Sequence, residues 1–138
     1  MKTVCIIGAG ASGSLIAYHL SHSLPSKKHR IILIEKQHAI GRGLAYSTQH
    51  PEHLLNVPAH NMSALHNSKS DFTDWLKAQG LFTTDDDFMP REWYGKYLSD
   101  IIHVRCSVEL KSGKLQLVHA EAISCTQPEG AKEKYVIE

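Results

Sequence analysis

Three glycines at G-x-G-x-x-G spacing, Gly8, Gly10 and Gly13, are the first residues of this chain whose type and spacing could do chemistry. They stand in VCIIGAGASGSLIAYHL, residues 4–20. One glycine permits a tight turn, the next lets a ligand approach bare backbone, and the third lets a helix pack closely on a strand. Such a turn holds a pyrophosphate against free N–H groups at the positive end of a helix. Ser12 adds a hydroxyl able to bond a phosphate. Glu35 follows about twenty positions beyond Gly13, where an acid meets the ribose of a bound dinucleotide. Its carboxylate accepts hydrogen bonds from ribose hydroxyls and repels a 2′-phosphate, so NADP is not expected in this site.

For that chemistry the glycines must sit between a strand and a helix. Thr3 to Ile7 is an unbroken β-branched or apolar run, the pattern of a strand buried on both faces of a parallel sheet. Leu15, Ile16, Leu20 and Leu24 recur at helical spacing until Pro25 ends the run. Arg30 to Glu35 is a second short apolar strand, so residues 1–35 read as a right-handed βαβ unit. FAD and NAD share the adenosine diphosphate half that such a unit reads, and residues 1–35 do not separate them.

Residues 36–70 show no sustained period. Ordering a loop of that length costs about 1 kcal/mol or more per residue, which a bound ligand can offset. Across residues 70–113 helical signals return. Ser70 can cap a helix carrying Phe72, Trp75 and Leu76 on one face, with Gly80 closing it. Pro90 opens another whose buried stripe is Tyr94, Tyr97, Leu98, Ile101 and Ile102. Val104, Cys106, Val108 and Leu110 then alternate like a strand, or the helix runs on to a cap at Gly113. Residues 114–138 read as a strand, a turn and the start of a returning strand. The fold class expected is α/β, Rossmann-like, with a parallel sheet and a β-hairpin or meander insertion, incomplete at its C-terminus.

Composition removes several alternatives. The 138 residues carry 42% hydrophobic and 21% charged side chains with a formal charge of +1, which gives no footprint for nucleic acid or anionic lipid. The basic run Lys27 to Arg30 reads as a solvated loop. No apolar stretch is long enough to span a bilayer and no signal cleavage site follows the first apolar run, so a cytoplasmic protein is expected. Cys5, Cys106 and Cys125 are widely spaced and read as reduced thiols. Ten histidines include His19/His22 and His50/His53, but neither pair belongs to a zinc pattern, and no metal is expected. Asp85 to Asp87 read as solvated acids or helix caps, and ASGS around Ser12 misses the hydrolase elbow G-x-S-x-G.

Three further stretches, GRGLAYST, HLLNVPAHNMSAL and FMPREWYGKYL, follow the glycine motif in that order. They resemble the bacterial FAD/NAD(P)-binding oxidoreductase family, whose members carry G-x-G-x-A-Y, L-N-V-P-A and P-R-x-x-Y-G-x-Y-L motifs and are similar to flavin monooxygenases and amino-acid N-hydroxylases. The resemblance covers nearly the whole chain. It implies FAD in the first dinucleotide site, with the flavin ring over loop 36–70. On that reading Gly41 and Gly43 let backbone approach a phosphate, Arg42 offsets its charge, and Lys36 joins Glu35 among the cofactor contacts. Asn56 offers an amide at a ring edge, and Arg91 could reach a pyrophosphate or nicotinamide phosphate. The backbone near Ala122 would bond the adenine edge, while Trp75, Trp93, Tyr94 and Tyr97 are read as packing aromatics.

In the family, NAD(P)H bound in a second Rossmann-like unit passes hydride to flavin N5. The cofactor carries the chemistry, so no side chain is assigned as general acid or base. Family members are several times longer, and their second nicotinamide site and later Gly-Asp segment have no counterpart before Glu138. The expectation is therefore part of a longer protein or a truncated product, binding FAD weakly and not turning over alone. Two other readings stay open: an NAD-dependent dehydrogenase domain and a non-catalytic nucleotide-binding module.

Overall fold

The computed structural model describes residues 1–81, 84, 86–132 and 134–138. Strand β1 (Lys2–Ile7), helix α1 (Ala11–Ser23) and strand β2 (His29–Glu35) form the opening unit. A 3-10 turn at Ala59–Asn61 precedes α2 (Asp71–Ala78) and α3 (Arg91–Asp100), which continues as a π-helical stretch, Ile101–Arg105, into α4 (Ser107–Lys111). Strand β3 (Leu115–His119) and the short strands β4 (Cys125–Thr126) and β5 (Val136–Ile137) complete the order.

The main sheet runs β1-β2-β3, all parallel, with Val4 beside Ile31 and Ile31 beside Leu115. Successive side chains of β2 point to opposite faces: Ile31 and Leu33 are fully buried against the helices, while Ile32 and Ile34 are only half-buried. Strand β1 is not buried on both faces as its apolar run suggests. It lies at one end of the strand order, paired with β2 alone among the described residues, and Ile7 is 54% exposed.

Helix α1 also departs from expectation. Its buried face is Gly13, Ser14, Ala17 and Ser21, while Ile16 is half-exposed and Leu24 lies beyond the last turn. The reason is distance. A Cβ on Gly13 would overlap the Gly8 carbonyl oxygen, so the helix lies too close to the strand for large side chains on that face. The buried serines satisfy their hydroxyls locally, Ser14 donating to the Ala9 carbonyl (3.0 Å) and Ser21 to the Tyr18 carbonyl (2.8 Å).

The stripe Tyr94, Tyr97, Leu98, Ile101 and Ile102 is buried as its spacing predicts. Beyond it the chain stays helical to Gly113, whose φ of +74° closes the run, so the helical alternative holds for residues 104–111. Ser70 occupies the N-cap position of α2, yet its hydroxyl donates to Asp74 (2.7 Å) and caps no backbone N–H. Gly80 closes α2 with φ +75°, and the Leu81 N–H reaches back to the Leu76 carbonyl (3.0 Å). The expected C-terminal hairpin is redistributed. Residues 115–119 join the main sheet because Leu115 and Leu117 face its core, and the antiparallel pair is β4 with β5.

Two apolar clusters hold these parts. Ala17, Ile31, Leu33, Ile102, Cys106 and Leu115 pack between sheet and helices, and Leu55, Phe72, Leu76, Tyr94, Tyr97 and Leu98 fill the space around α2 and α3. No helix among the described residues is long and apolar enough to cross a membrane.

Candidate functional site

The turn after β1 is shaped by backbone alone. Gly8 has φ +91°, a conformation that favours glycine, and its N–H extends the ladder by donating to the Ile34 carbonyl (2.8 Å). Gly10 is the N-cap of α1, with no side chain capping the helix and no acid in its first turn. The first N–H groups of an α-helix have no acceptor within the helix, so this end keeps its positive potential.

Loop 41–46 packs across the turn. A Cβ on Gly10 would lie 3.5 Å from the Gly43 Cα, so two glycine backbones face each other there. Gly41 serves packing and not ligand approach: its N–H donates to the Ala9 carbonyl (2.7 Å), and a Cβ on it would fall 2.6 Å from the Ser99 nitrogen. Likewise a Cβ on Gly95 of α3 would lie 3.0 Å from Arg42 Cγ.

Glu35, at the end of β2, turns its carboxylate to the glycine turn. The Ala9 N–H donates to Oε2 (2.6 Å) and the Gln37 N–H to Oε1 (2.9 Å). Ala9 is thus a junction that residue type could not announce, because it works entirely through its backbone. Its carbonyl also receives the Ser14 hydroxyl and the Gly41 N–H.

Two adjoining open cavities follow from this arrangement, at the carboxyl ends of the strands where ligands of open parallel sheets bind. One, of about 250 Å³, is lined by Gly8, Glu35, Lys36, Glu121 and Ala122 among others. The other, of about 460 Å³, takes Gly10, Ser12, Gly13, Arg42, Gly43 and Tyr46 in its wall, and both share Ile7 and Gly8. Nine of the twelve residues singled out in the sequence as ligand contacts therefore border these two adjoining cavities, Gly41, Asn56 and Arg91 being the others.

Lys36 pairs with Glu121 across the first rim (3.2 Å), both about 60% exposed, an arrangement that contributes little to stability. His38 and His119 stack beside it with ring centroids 3.9 Å apart. Ala122 lies past the end of β3, in an irregular segment and not on a strand.

Asn56 and Arg91 stand elsewhere. They border a separate cavity of about 550 Å³ with His53, Leu54 and Phe88. The Arg91 guanidinium donates to the Leu54 carbonyl (2.9 Å) and to Asn56 Oδ1 (3.0 Å), binding the L-N-V-P-A loop to the start of α3.

Tyr97 does more than pack. Its hydroxyl donates to Asp71 (2.5 Å) and accepts from the Ala64 N–H (3.2 Å), while Arg105 donates to the same carboxylate (2.9 Å). A buried tyrosine needs such a partner, which is the signal a reading of its apolar spacing passes over.

Among the described residues no three His, Cys, Asp or Glu side chains gather as a metal site. His50 and His53 stack (5.0 Å), with His53 Nδ1 bonded to Thr48 Oγ1 (2.6 Å). Of the acidic triplet, Asp85 lies outside the described residues, Asp86 faces His60 (3.8 Å), and Asp87 accepts from the Thr84 N–H (2.7 Å).

This groove fits a dinucleotide: a bare turn at a positive helix end, an acid fixed beside it, and a cation in Arg42. The sequence profile of the FAD-NAD(P)-binding family matches residues 5–137. No curated protein matches the chain. Among solved structures, THI4 of Thermovibrio ammonificans aligns at 16% identity and a TM-score of 0.46, over 98% of this chain and 44% of that one. The chain thus spans less than half the length of that protein. With the matched span covering nearly every residue, the chain belongs to the FAD-NAD(P)-binding family.

Proposed function

We propose that this chain is the FAD-holding part of a flavin-dependent oxidoreductase of monooxygenase-like type, reduced by NAD(P)H. The observation that carries the reading is the continuous groove over the glycine turn, with the Glu35 carboxylate at one end and Arg42 and Gly43 at the other. The two cavities meet at Gly8, where a dinucleotide's pyrophosphate would cross.

In this reading Glu35 accepts from the adenosine ribose hydroxyls. Its two backbone bonds hold the carboxylate in place beforehand, so little side-chain ordering is left to binding. Gly8, Gly10 and Gly13 keep the turn open, and the Ser12 hydroxyl and the first N–H groups of α1 face the phosphates. Arg42 offsets their charge, Lys36 borders the ribose, the backbone near Ala122 meets the adenine edge, and Asn56 faces the ring. Bound FAD would supply the redox chemistry, and the residues of this chain bind and orient it. Three free thiols, Cys125 among them exposed, support a reducing, cytoplasmic setting, and the near-zero net charge supports a small-molecule partner over nucleic acid.

The test is equilibrium titration of the chain with FAD, ADP, NAD and NADP. FAD and ADP are expected to bind and to compete, with the 2′-phosphorylated nucleotide rejected at Glu35. Tighter binding of NAD than of FAD would turn the reading to a dehydrogenase domain. Saturable ADP binding with no affinity for FAD would leave a nucleotide-binding module.

A further inference from the structure

Arg91 begins α3, where a cation opposes the helix dipole, and its guanidinium turns back onto the loop before it. Its Nε–H donates to the Leu54 carbonyl (2.9 Å), Nη2 to Asn56 Oδ1 (3.0 Å), and its backbone N–H to the His53 carbonyl (2.8 Å). A guanidinium has donors and no acceptor, so the Asn56 atom facing it must be the carbonyl oxygen. The amide flip, which geometry alone leaves ambiguous, is thereby fixed.

The Asn56 NH2 group then points away from Arg91, and among the described residues nothing accepts from it. The backbone beneath is held as well. Leu55 and Ala59 are 4% and 0% exposed, and the Leu55 N–H donates to the Met89 carbonyl (2.8 Å). The pair opens on the separate cavity, whose wall includes the exposed apolar side chains Leu54 and Phe88.

We infer that Arg91 is a positioning residue that turns the Asn56 NH2 group toward this cavity, which takes the acceptor edge of a planar ring: the carbonyl and imine side of an oxidised flavin. The inference rests on the FAD reading above and narrows it. Two of the five guanidinium N–H groups of Arg91, on Nε and Nη2, are spent on holding the loop. Leu54 and Phe88 suit a ring's faces. A ring edge bearing donors is disfavoured, since two donors brought together leave both unpaired.

Asn56→Asp separates this role from a structural one, because a carboxylate keeps and strengthens the contact with Arg91 while removing both outward donors. Wild type, Asn56→Asp, Asn56→Ala, Arg91→Ala and the double alanine variant are titrated with FAD and with ADP. Flavin fluorescence and absorption, and competition for ADP, report binding. Asn56→Asp and Arg91→Ala are each expected to weaken FAD about tenfold, to return the bound flavin's absorption toward that of free flavin, and to leave ADP affinity unchanged. The double variant is expected to bind FAD no more weakly than Asn56→Ala, since Arg91 acts through Asn56. FAD affinity unchanged in Asn56→Asp, or additive losses in the double variant, would overturn the inference while the functional reading stood. A wild-type chain that takes up neither FAD nor ADP would overturn the reading, and this assignment with it.

Discussion

Gly95 of α3 lies against the backbone of Tyr46: a Cβ built on Gly95 would stand 2.6 Å from the Tyr46 carbonyl oxygen. Two sequence stretches, GRGLAY and YGKYL, are therefore the two sides of a single contact. Gly41 repeats the relation one turn further along, against Ser99. A loop that borders the groove is held against the helix by a missing side chain on each side of the contact, Gly41 on the loop and Gly95 on the helix.

Gly95→Ala should on this account destabilise the chain by ~1–3 kcal/mol, because the group in the way is backbone and cannot rotate aside. Urea unfolding reads the loss as a lowered midpoint. A midpoint equal to that of wild type would mean that loop 41–46 sits further from α3 than described.

The glycines of the turn should separate stability from binding. Gly13→Ala drives a methyl into the Gly8 carbonyl and is expected to cost ~1–3 kcal/mol of stability. Gly10 has φ −67° and only an ordinary contact with Gly43, so Gly10→Ala should fold as wild type. Its methyl faces the groove, and ADP affinity should fall at least tenfold. Thermal melts alongside ADP titrations check both, and a reversed pattern would dismiss the turn as the phosphate site.

What was legible in the sequence was local. Gly8, Gly10, Gly13 and Glu35 lie within one βαβ unit, where spacing along the chain maps directly onto the sheet, and the buried stripe of α3 follows from helical period alone. The buried face of α1 was not legible by hydrophobicity, because the closeness enforced at Gly13 selects small residues over Ile16. Exposure of Ile7 depends on the strand order, which no single strand encodes. The pairing of Arg91 with Asn56, and of Gly95 with Tyr46, joins segments far apart in sequence. Each motif could be read as a ligand contact, yet Gly41, Gly95 and Arg91 hold one motif to another.

Glu35→Gln is expected to weaken ADP and FAD alike by about tenfold. The amide retains one acceptor, but its NH2 must then face either the Ala9 N–H or the Gln37 N–H, and a donor is left without a partner. Loss of the charge should also reduce the discrimination against a 2′-phosphate, so the ratio of NADP to NAD affinity should rise. Isothermal titration with the four nucleotides measures both effects. An unchanged ratio would mean that the carboxylate does not face the ribose.

Alkaline unfolding should report on two of the five tyrosines. Burial, and then the neighbouring Tyr46, push the Tyr94 phenol up from 10.0 to about 12. Burial, and then its hydrogen bond to Asp71, raise Tyr97 as well. In the unfolded chain both ionise near 10.0, whereas the folded chain retains their protons, so above that pH the folded state binds more protons than the unfolded one. Both contributions are constant below pH 10; that of Tyr94 is lost as pH rises from about 10 to about 12, and that of Tyr97 is lost over a window that begins at the same pH and extends higher. Tyr94→Phe removes one of the two titrating groups and should flatten that decline. Urea midpoints measured across the window test it, with tyrosinate absorbance followed in parallel. Full ionisation of all five phenols before the fold is lost would show that neither ring is shielded.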